Sequence, residues 1–220
     1  MRVNHVKSAR KTKKARVCGQ CQHTVEPGEA YKYAEPRYGP TKIRCSGCHF
    51  RPSDLQDSDK MADLYLAQEG LEDDITAACY ANDPADLPGA LNTAAEAARE
   101  VGEAYGESAD NIESAFTGGS PTADDCREKA DSIEEWADAL ESAAGDIEGF
   151  LSELEELQAA VEEARENLAA AEEASDDSTD EDETAIDDAQ TALEEAEQAV
   201  TEKEEECFEA AESVCGELSL

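Results

Sequence analysis

Four cysteines near the start of the chain have the residue type and the spacing of a metal site. Cys18 and Cys21 form one Cys-x-x-Cys pair, and Cys45 and Cys48 form a second pair after a spacer of 23 residues. A tight turn within each pair can direct both sulfur atoms at one ion, and four thiolates in a tetrahedral arrangement suit structural Zn²⁺. The spacing therefore predicts a zinc site made by these four residues.

The alternative, four unrelated buried cysteines, does not explain identical spacing in a segment too short to form its own core. Metal binding would cross-link such a segment and supply folding free energy. Because four thiolates leave no open coordination position, the set argues against catalytic zinc. The sequence has no nucleophile elbow, P-loop or dinucleotide fingerprint, and pairs such as Glu155 and Glu156 are expected by composition among 55 acidic residues. We therefore expect a protein that is not an enzyme and has no small-molecule substrate.

The formal charge of -37 is divided unevenly along the chain. Residues 1–51 contain 12 Lys and Arg against 3 Asp and Glu, a net charge of +9, whereas the other 169 residues contain 6 against 52, a net charge of -46. Carboxylates at this density repel one another unless salt screens them. A body poor in lysine and rich in Asp, Glu and small apolar residues resembles the proteins of salt-in halophiles, and an acidic coiled coil from a low-salt organism is the alternative.

The basic head could bind nucleic acid through phosphate contacts, with Tyr31, Tyr33 and Tyr38 stacked on bases. These tyrosines could instead fill the small core of the head, and phosphate binding weakens steeply with salt. The candidate phosphate-binding residues are Arg10, Lys11, Lys13, Lys14, Arg16, Lys32, Arg37, Lys42, Arg44 and Arg51.

Two further features concern the environment of the protein. The basic N-terminal residues are not followed by an apolar run, and no apolar stretch approaches the ~20 residues of a membrane span. We therefore expect no membrane association. Because four cysteines are grouped in metal-like pairs and the other four are scattered, we also expect a reducing location, in a host cytoplasm or a virion. The other four cysteines lie apart in helical sequence, and we expect small buried hydrophobic residues, with a disulfide between helix ends as the alternative. They are Cys79, Cys126, Cys207 and Cys215.

Residues 1–16 contain a dense run of Lys and Arg without hydrophobic periodicity, which predicts a flexible basic arm. Residues 17–52 are predicted to form the zinc-binding unit, which we call the finger. Within it, EAYKYAE and TKIRC are compatible with β-strands, and PRYGP between them favours a turn. A β-hairpin should therefore join the two cysteine pairs.

After the zinc-binding unit the hydrophobic spacing changes to alternating steps of three and four, which is typical of helices packed along a heptad seam. Pro84 and the sequence TGGSP are predicted to end the first two helices. Gly145 and Gly149 could kink or break the third. The predicted helices begin at Ser53, at Leu87 and after Pro121.

The acidic run SDDSTDEDE, residues 175–183, contains no apolar side chain and predicts an exposed loop. Helical stripes lie on both sides of it, so residues 150–220 should form an antiparallel helical hairpin after a helical scaffold over 53–149. The fold class is mainly α, with a small N-terminal finger and long antiparallel or coiled-coil helices. Because many seam positions are alanine, each helix pair buries little area, and self-association would bury more.

The segment CGQCQHTVEPGEAYKY followed by KIRCSGC resembles a treble-clef zinc finger, in which a knuckle, a Gly-containing turn and a β-hairpin precede a second cysteine pair that opens into a helix. Within that group, KKARVCGQC with VEPGEAY resembles the start of the fingers of poly(ADP-ribose) polymerases, which bind DNA ends. The third ligand of those fingers is a histidine, whereas Cys45 takes that place here. The layout of residues 5–80 also resembles uncharacterised small proteins of tailed viruses of actinobacteria and haloarchaea.

HNH nucleases also build on a treble clef and use a catalytic histidine. His23 and His49 lie beside cysteine ligands, where either could replace a thiolate or donate a hydrogen bond to one, and a surface imidazole is the simpler interpretation. The following sequence, FRPSDLQDSDKMADLYLAQ, lacks the Asn or His that such a nuclease needs as a metal ligand.

These observations together predict a zinc-binding interaction protein, viral and halophilic, whose finger and acidic body form an assembly or scaffold element with a protein partner or with a second copy. Nucleic-acid binding by the basic arm and finger is the alternative hypothesis. Mimicry of DNA by the acidic helices is a third.

Overall fold

The chain folds into two compact units in the computed structural model. The first unit contains residues 1–70 and 97–134, and the second contains residues 71–96 and 135–220. The residues that the structure describes are 2–7, 15–37, 40–116, 119–174 and 180–216, without the side chains of 174 and 180–183.

The strands of the described residues all lie in the first unit. They are β1 (Val3–Val6), β2 (Arg16–Val17), β3 (Thr24–Val25), β4 (Tyr31–Ala34) and β5 (Lys42–Cys45). β4 lies between β1 and β5 in an antiparallel sheet, and β2 pairs with β3 in a separate ribbon. Tyr31 is opposite Val6 on one side and Cys45 on the other. The hairpin expected between the cysteine pairs is thus confirmed as β4 and β5.

The presence of strand β1 differs from the sequence-based expectation that residues 1–16 form a flexible arm. Val3–Val6 pair with β4, and Val6 packs against the apolar cluster of the sheet. A strand of four residues is too short to produce a clear pattern, because what orders it is the neighbouring strand rather than its own propensity. Residues 8–14 of the predicted arm lie outside the described residues.

The core of the first unit's sheet is small. Val25 and Tyr31 are buried, and Val6, Tyr33 and Ile43 pack partly buried against them. The two tyrosines therefore take the core role that we considered as the alternative to base stacking, while Tyr38 lies outside the described residues. So few apolar side chains remove little area from water, and the strands need a further source of stability.

Long helices follow the sheet and make the protein mainly α-helical. They are α1 (Asp59–Ala81), α2 (Leu87–Ala115), α3 (Pro121–Ala174) and α4 (Asp180–Cys215), preceded by a short 3₁₀ helix over Ser53–Leu55. Pro121 takes the first position of α3, where its missing N–H costs nothing. At the end of α1, Asn82 has a left-handed φ of 50° and the N–H of Asp83 donates to the carbonyl of Ala78, a Schellman arrangement.

Three predicted boundaries differ from the structure. The 3₁₀ helix separates Ser53 from α1, so the first helix begins six residues later than expected. α3 continues through Gly145 and Gly149 because both face solvent while Ile147 between them is fully buried, which offsets the ~1 kcal/mol cost of each helical glycine. The last part of the acidic run 175–183 is helical, because α4 begins at Asp180; residues 175–179 lie outside the described residues.

In the second unit, α3 and α4 pack as an antiparallel pair. The indole Nε1 of Trp136 donates to the carbonyl of Val214 at 3.0 Å, and Arg165 forms an ion pair with Glu197 at 2.9 Å. The apolar stripes face inward as the heptad spacing predicts. Fully buried seam positions in the two units include Leu64, Leu71, Leu87, Leu91, Ile133, Leu140 and Ile147. Among the described residues, no helix combines the length and the apolar content that crossing a bilayer requires.

We expect Leu64→Ala to lower the free energy of unfolding by about 2–5 kcal/mol, because it leaves a cavity in the packed seam of α1. Leu66→Ala on the same helix is the matched control, since Leu66 is 59% exposed, and its effect should stay within about 0.5 kcal/mol. Urea unfolding of the full chain, followed by circular dichroism, measures both. Equal losses in the two variants would contradict the assigned orientation of α1.

Candidate metal centre

The first cysteine pair lies in the turn between β2 and β3. Cys18 directly follows β2, and its N–H donates to the carbonyl of His23 at 2.9 Å. The N–H of Gln22 donates to the carbonyl of Cys18 at 3.0 Å, and Gln22 has a left-handed φ of 59°. These two contacts close the turn and bring Cys21 back toward Cys18.

The second cysteine pair is placed by β5. Cys45 is the last residue of that strand, and the N–H of Cys48 donates to its carbonyl at 3.3 Å. The first turn is tied to the same strand, because the N–H of Gly19 donates to the carbonyl of Ile43 at 2.9 Å. The β-hairpin thus returns the chain to the first turn, and the two cysteine pairs meet.

The sulfur atoms of Cys18, Cys21, Cys45 and Cys48 all lie within 4.8 Å of one another. The Sγ atoms of Cys21 and Cys45 are 3.7 Å apart, close to the ~3.8 Å that separates sulfurs bound at ~2.3 Å to a tetrahedral ion. All eight cysteines lie among the described residues, and no disulfide joins any of them. The donor set and its spacing therefore fit one thiophilic metal ion.

Hydrogen bonds within the cluster shift the pKa values of its thiols in opposite directions. Burial opposes ionisation of Cys18, but the backbone N–H groups of Cys21, Cys45 and Gln20 together lower the pKa of its thiol to about 6. Hydrogen bonds with the side chains of Cys45 and Cys21 raise the pKa of Cys48 to about 12. A hydrogen bond with the side chain of Cys48 also lowers the pKa of Cys45. Ionisation of Cys18 is thus favoured near neutral pH, and binding of a divalent cation would release the protons of the thiols that remain protonated.

The histidines beside the cluster have other partners. Nε2 of His23 lies 3.3 Å from Oε2 of Glu29. Nδ1 of His49 lies 3.4 Å from Nζ of Lys32, which also donates to the carbonyl of Cys48 at 2.8 Å. The metal-ligand cluster found among the described residues contains thiols alone, so these imidazoles are neighbours of the site rather than members of it.

Arg44, assigned above to phosphate binding, is an internal residue. Its guanidinium donates to both carboxylate oxygens of Asp54 at 2.6 Å and lies 5.3 Å from the ring centroid of Phe50. The side chain is only 11% exposed. Both contacts to Asp54 come from Nη2, while Nη1 donates to the carbonyl of Ile43 at 3.3 Å, so both terminal nitrogens have partners within the protein. The phosphate-binding assignment of Arg44 stays a prediction, but its guanidinium is engaged within the protein and anchors the segment that follows the second cysteine pair.

The remaining basic candidates fall into three groups. Arg16 lies 5.2 Å from the ring centroid of Tyr31, and Lys32 is bonded to Cys48 as described, so both are engaged within the finger. Arg37 and Arg51 are exposed, and Lys42 is half-buried. The other candidates lie outside the described residues, and phosphate binding by them stays a prediction: Arg10, Lys11, Lys13 and Lys14.

The four other cysteines do not share one environment. Cys207 and Cys215 are buried as expected, and burial raises the pKa of both thiols, to about 11 for Cys215. Cys126 is half-buried. The expectation of burial is wrong for Cys79, which is exposed in the last turn of α1. Cys79 follows Ile75 by four residues, so the buried stripe of α1 stops before the last turn of the helix.

Two carboxylates near the site are not identified by sequence analysis. Asp54 binds Arg44, and the carboxylate of Glu69 accepts from the backbone N–H and the hydroxyl of Ser53 at 2.8 and 2.7 Å. The sequence contains one clue to Asp54, because it is the first acidic residue after residues 1–51, which contain only 3 acidic residues. Its partner depends on the path of the chain after Cys48, which composition does not reveal.

Comparison with known proteins finds no relative. No protein-family model matches the chain, and neither a curated protein nor a solved structure shows significant similarity to it. The case for a metal site therefore rests on the geometry of the four thiols.

We expect the purified chain to bind one divalent metal ion, and Cys18→Ser or Cys48→Ser to abolish stoichiometric binding, because each removes one of four sulfur donors. Cys79→Ser is the matched control, since this exposed thiol lies outside the cluster. Elemental analysis after gel filtration measures the metal. Retention of a full equivalent by the Cys18 variant would refute this ligand set.

Gly19→Ala should destabilise the finger by about 1–3 kcal/mol through overpacking. A Cβ at Gly19 would lie 2.6 Å from Nη1 of Arg44, which Asp54 holds in place. Gly47→Ala in the second pair is the control, because a Cβ there meets nothing within 4 Å. Metal release to a coloured chelator during urea unfolding reports on the finger. If both variants release metal at the same urea concentration, Arg44 does not pack on the first turn.

Proposed function

We propose that the chain is a non-enzymatic, zinc-binding interaction protein, in which a finger and an acidic helical body act as an assembly or scaffold element. The observation that carries this proposal is the meeting of four cysteine sulfurs within 4.8 Å. Sulfur donors favour Zn²⁺ over Mg²⁺ and Ca²⁺, which prefer oxygen ligands.

A structural role for the ion follows from its ligand set. Four thiolates leave no coordination position for a substrate or an activated water, so the ion would act by holding the chain. The small apolar cluster around Val25 and Tyr31 makes such a staple necessary. The order of knuckle, hairpin and second cysteine pair supports the treble-clef resemblance, although here the second pair leads into a 3₁₀ helix before α1.

An interaction role is supported by the antiparallel pair of α3 and α4. Beyond Val161, which is buried, the apolar seam becomes only half-buried, as at Leu168, Ile186 and Leu193. Apolar side chains left partly exposed on a two-helix surface gain burial when a further helix covers them. A second copy or another protein could supply that helix.

Nucleic-acid binding is the less well supported function. Its main basis is the net charge of +9 over residues 1–51. Three of the cations that would carry it, Arg16, Lys32 and Arg44, have partners within the finger.

We further propose that the protein works at high salt in a reducing compartment, a host cytoplasm or a virion. The acidic body contains 6 basic residues for 52 carboxylates, so ion pairs such as Arg165–Glu197 compensate only a small part of its charge. Salt would screen the remaining repulsion.

Sedimentation of the metal-loaded full chain in multimolar potassium chloride tests the assembly role. We expect species larger than the 23.6 kDa monomer. Leu193→Gln should dissociate them because it removes apolar area from the half-buried seam, whereas Thr191→Gln, at an exposed position of the same helix, should not.

A monomer at every concentration and salt would argue against self-association and direct attention to a separate protein partner. Zinc-dependent retardation of DNA or RNA that persists in multimolar salt would favour the nucleic-acid function instead, because ordinary phosphate binding is lost under those conditions.

A further inference from the structure

A relay of polar contacts connects the metal cluster to helix α1, and all of it lies in the first unit. Arg44 precedes the ligand Cys45 on β5 and donates to both oxygens of Asp54 at 2.6 Å. Asp54 belongs to the 3₁₀ helix, and its neighbour Ser53 donates its N–H and its hydroxyl to Glu69 at 2.8 and 2.7 Å. Because Glu69 lies on α1, the contacts run without a gap from a metal ligand to that helix.

The first link depends on the position of the first cysteine pair. Gly19 lies between Cys18 and Cys21, and a Cβ on it would be 2.6 Å from Nη1 of Arg44. The N–H of Gly19 and Nη1 of Arg44 also donate to the same carbonyl, that of Ile43, at 2.9 and 3.3 Å. The turn that holds two of the ligands is therefore one wall of the Arg44 site.

Burial makes each link costly to break. The side chains of Arg44 and Asp54 are 11% and 19% exposed, and Glu69 is 5% exposed. Nε of Arg44 is buried without a hydrogen-bond partner, so Asp54 provides the main compensation for burying this charge. Removing one partner from a buried pair is strongly destabilising, and moving Ser53 would take two donors from a buried carboxylate. Disruption of the Arg44–Asp54 contact should therefore also disrupt the contact between Ser53 and Glu69.

We propose that metal binding at the four-cysteine cluster is coupled through this relay to the docking of residues 59–70 of α1. With the metal bound, the first turn holds Arg44, Arg44 holds the 3₁₀ helix through Asp54, and Ser53 holds Glu69. Loss of the metal loosens the first turn and releases residues 59–70 of α1. Metal occupancy therefore controls whether this part of α1 is ordered. The inference rests on the proposed function, since it requires the cluster to bind metal.

Hydrogen exchange of the full chain, measured by mass spectrometry with zinc bound and after its removal by a chelator, tests the coupling. We expect amides of residues 53–70 to exchange at least about tenfold faster without zinc, equivalent to ~1.4 kcal/mol of lost protection. Amides of residues 150–170, on α3 in the second unit, serve as the internal reference and should change little.

Glu69→Gln tests the relay without altering a ligand. A glutamine offers one acceptor oxygen where Glu69 accepts from both Ser53 donors, so the variant should bind one zinc but lose most of the zinc-induced protection over residues 53–70. Asp63→Asn removes an exposed carboxylate from the same helix and is the matched control, with a full response expected.

The outcomes separate this inference from the proposed function. A chain that binds one zinc yet shows equal exchange over residues 53–70 with and without it would overturn the coupling and leave the metal site intact. A full zinc response in Glu69→Gln would overturn the relay as its route. Absence of bound zinc in the unaltered chain would overturn the proposed function, and the coupling with it.

Discussion

A shortage of buried apolar area is the constraint on which the finger depends. Its sheet packs around Val25 and Tyr31 with a few partly buried neighbours, which is too little to offset the entropy lost when the strands become ordered. In the proposed function, metal binding at the four thiols supplies the missing free energy, because metal–sulfur bonds are strong and need few residues. The paths of β5 and of the segment after it follow from this cluster. Arg44 then fixes that segment by pairing with Asp54.

The helical body meets a related constraint in another way. Its seam contains many alanines, which form helices readily and let them approach closely but bury little area each. Larger residues at intervals, such as Leu140 and Ile147, supply the main burial, and Trp136 adds a buried indole hydrogen bond to Val214. Most of the described carboxylates of the helices are exposed, where salt can screen them. Long helices suit this composition because their backbone hydrogen bonds are satisfied locally.

Buried charged groups around the 3₁₀ helix contrast with the apolar seams of the long helices. Pairs such as Arg44–Asp54 add little net stability compared with apolar packing, but they are costly to break and allow few alternative arrangements. The contact of Glu69 with Ser53 has the same character, since both of its oxygens are satisfied by one residue. Polar contacts of this type specify where the 3₁₀ helix lies more than they strengthen the fold.

The sequence by itself determined the four-cysteine set and the approximate positions of the helices. Cysteine spacing and the repeat of apolar residues are local patterns, so they predict the four-thiol set, the β4–β5 hairpin and the start of α2 at Leu87. Tertiary structure decided the role of Arg44, the pairing of Val3–Val6 with β4, the exposure of Cys79 and the continuity of α3 through Gly145. Burial and ion pairing depend on which distant segment arrives beside a residue, and that information is not contained in the neighbours along the chain.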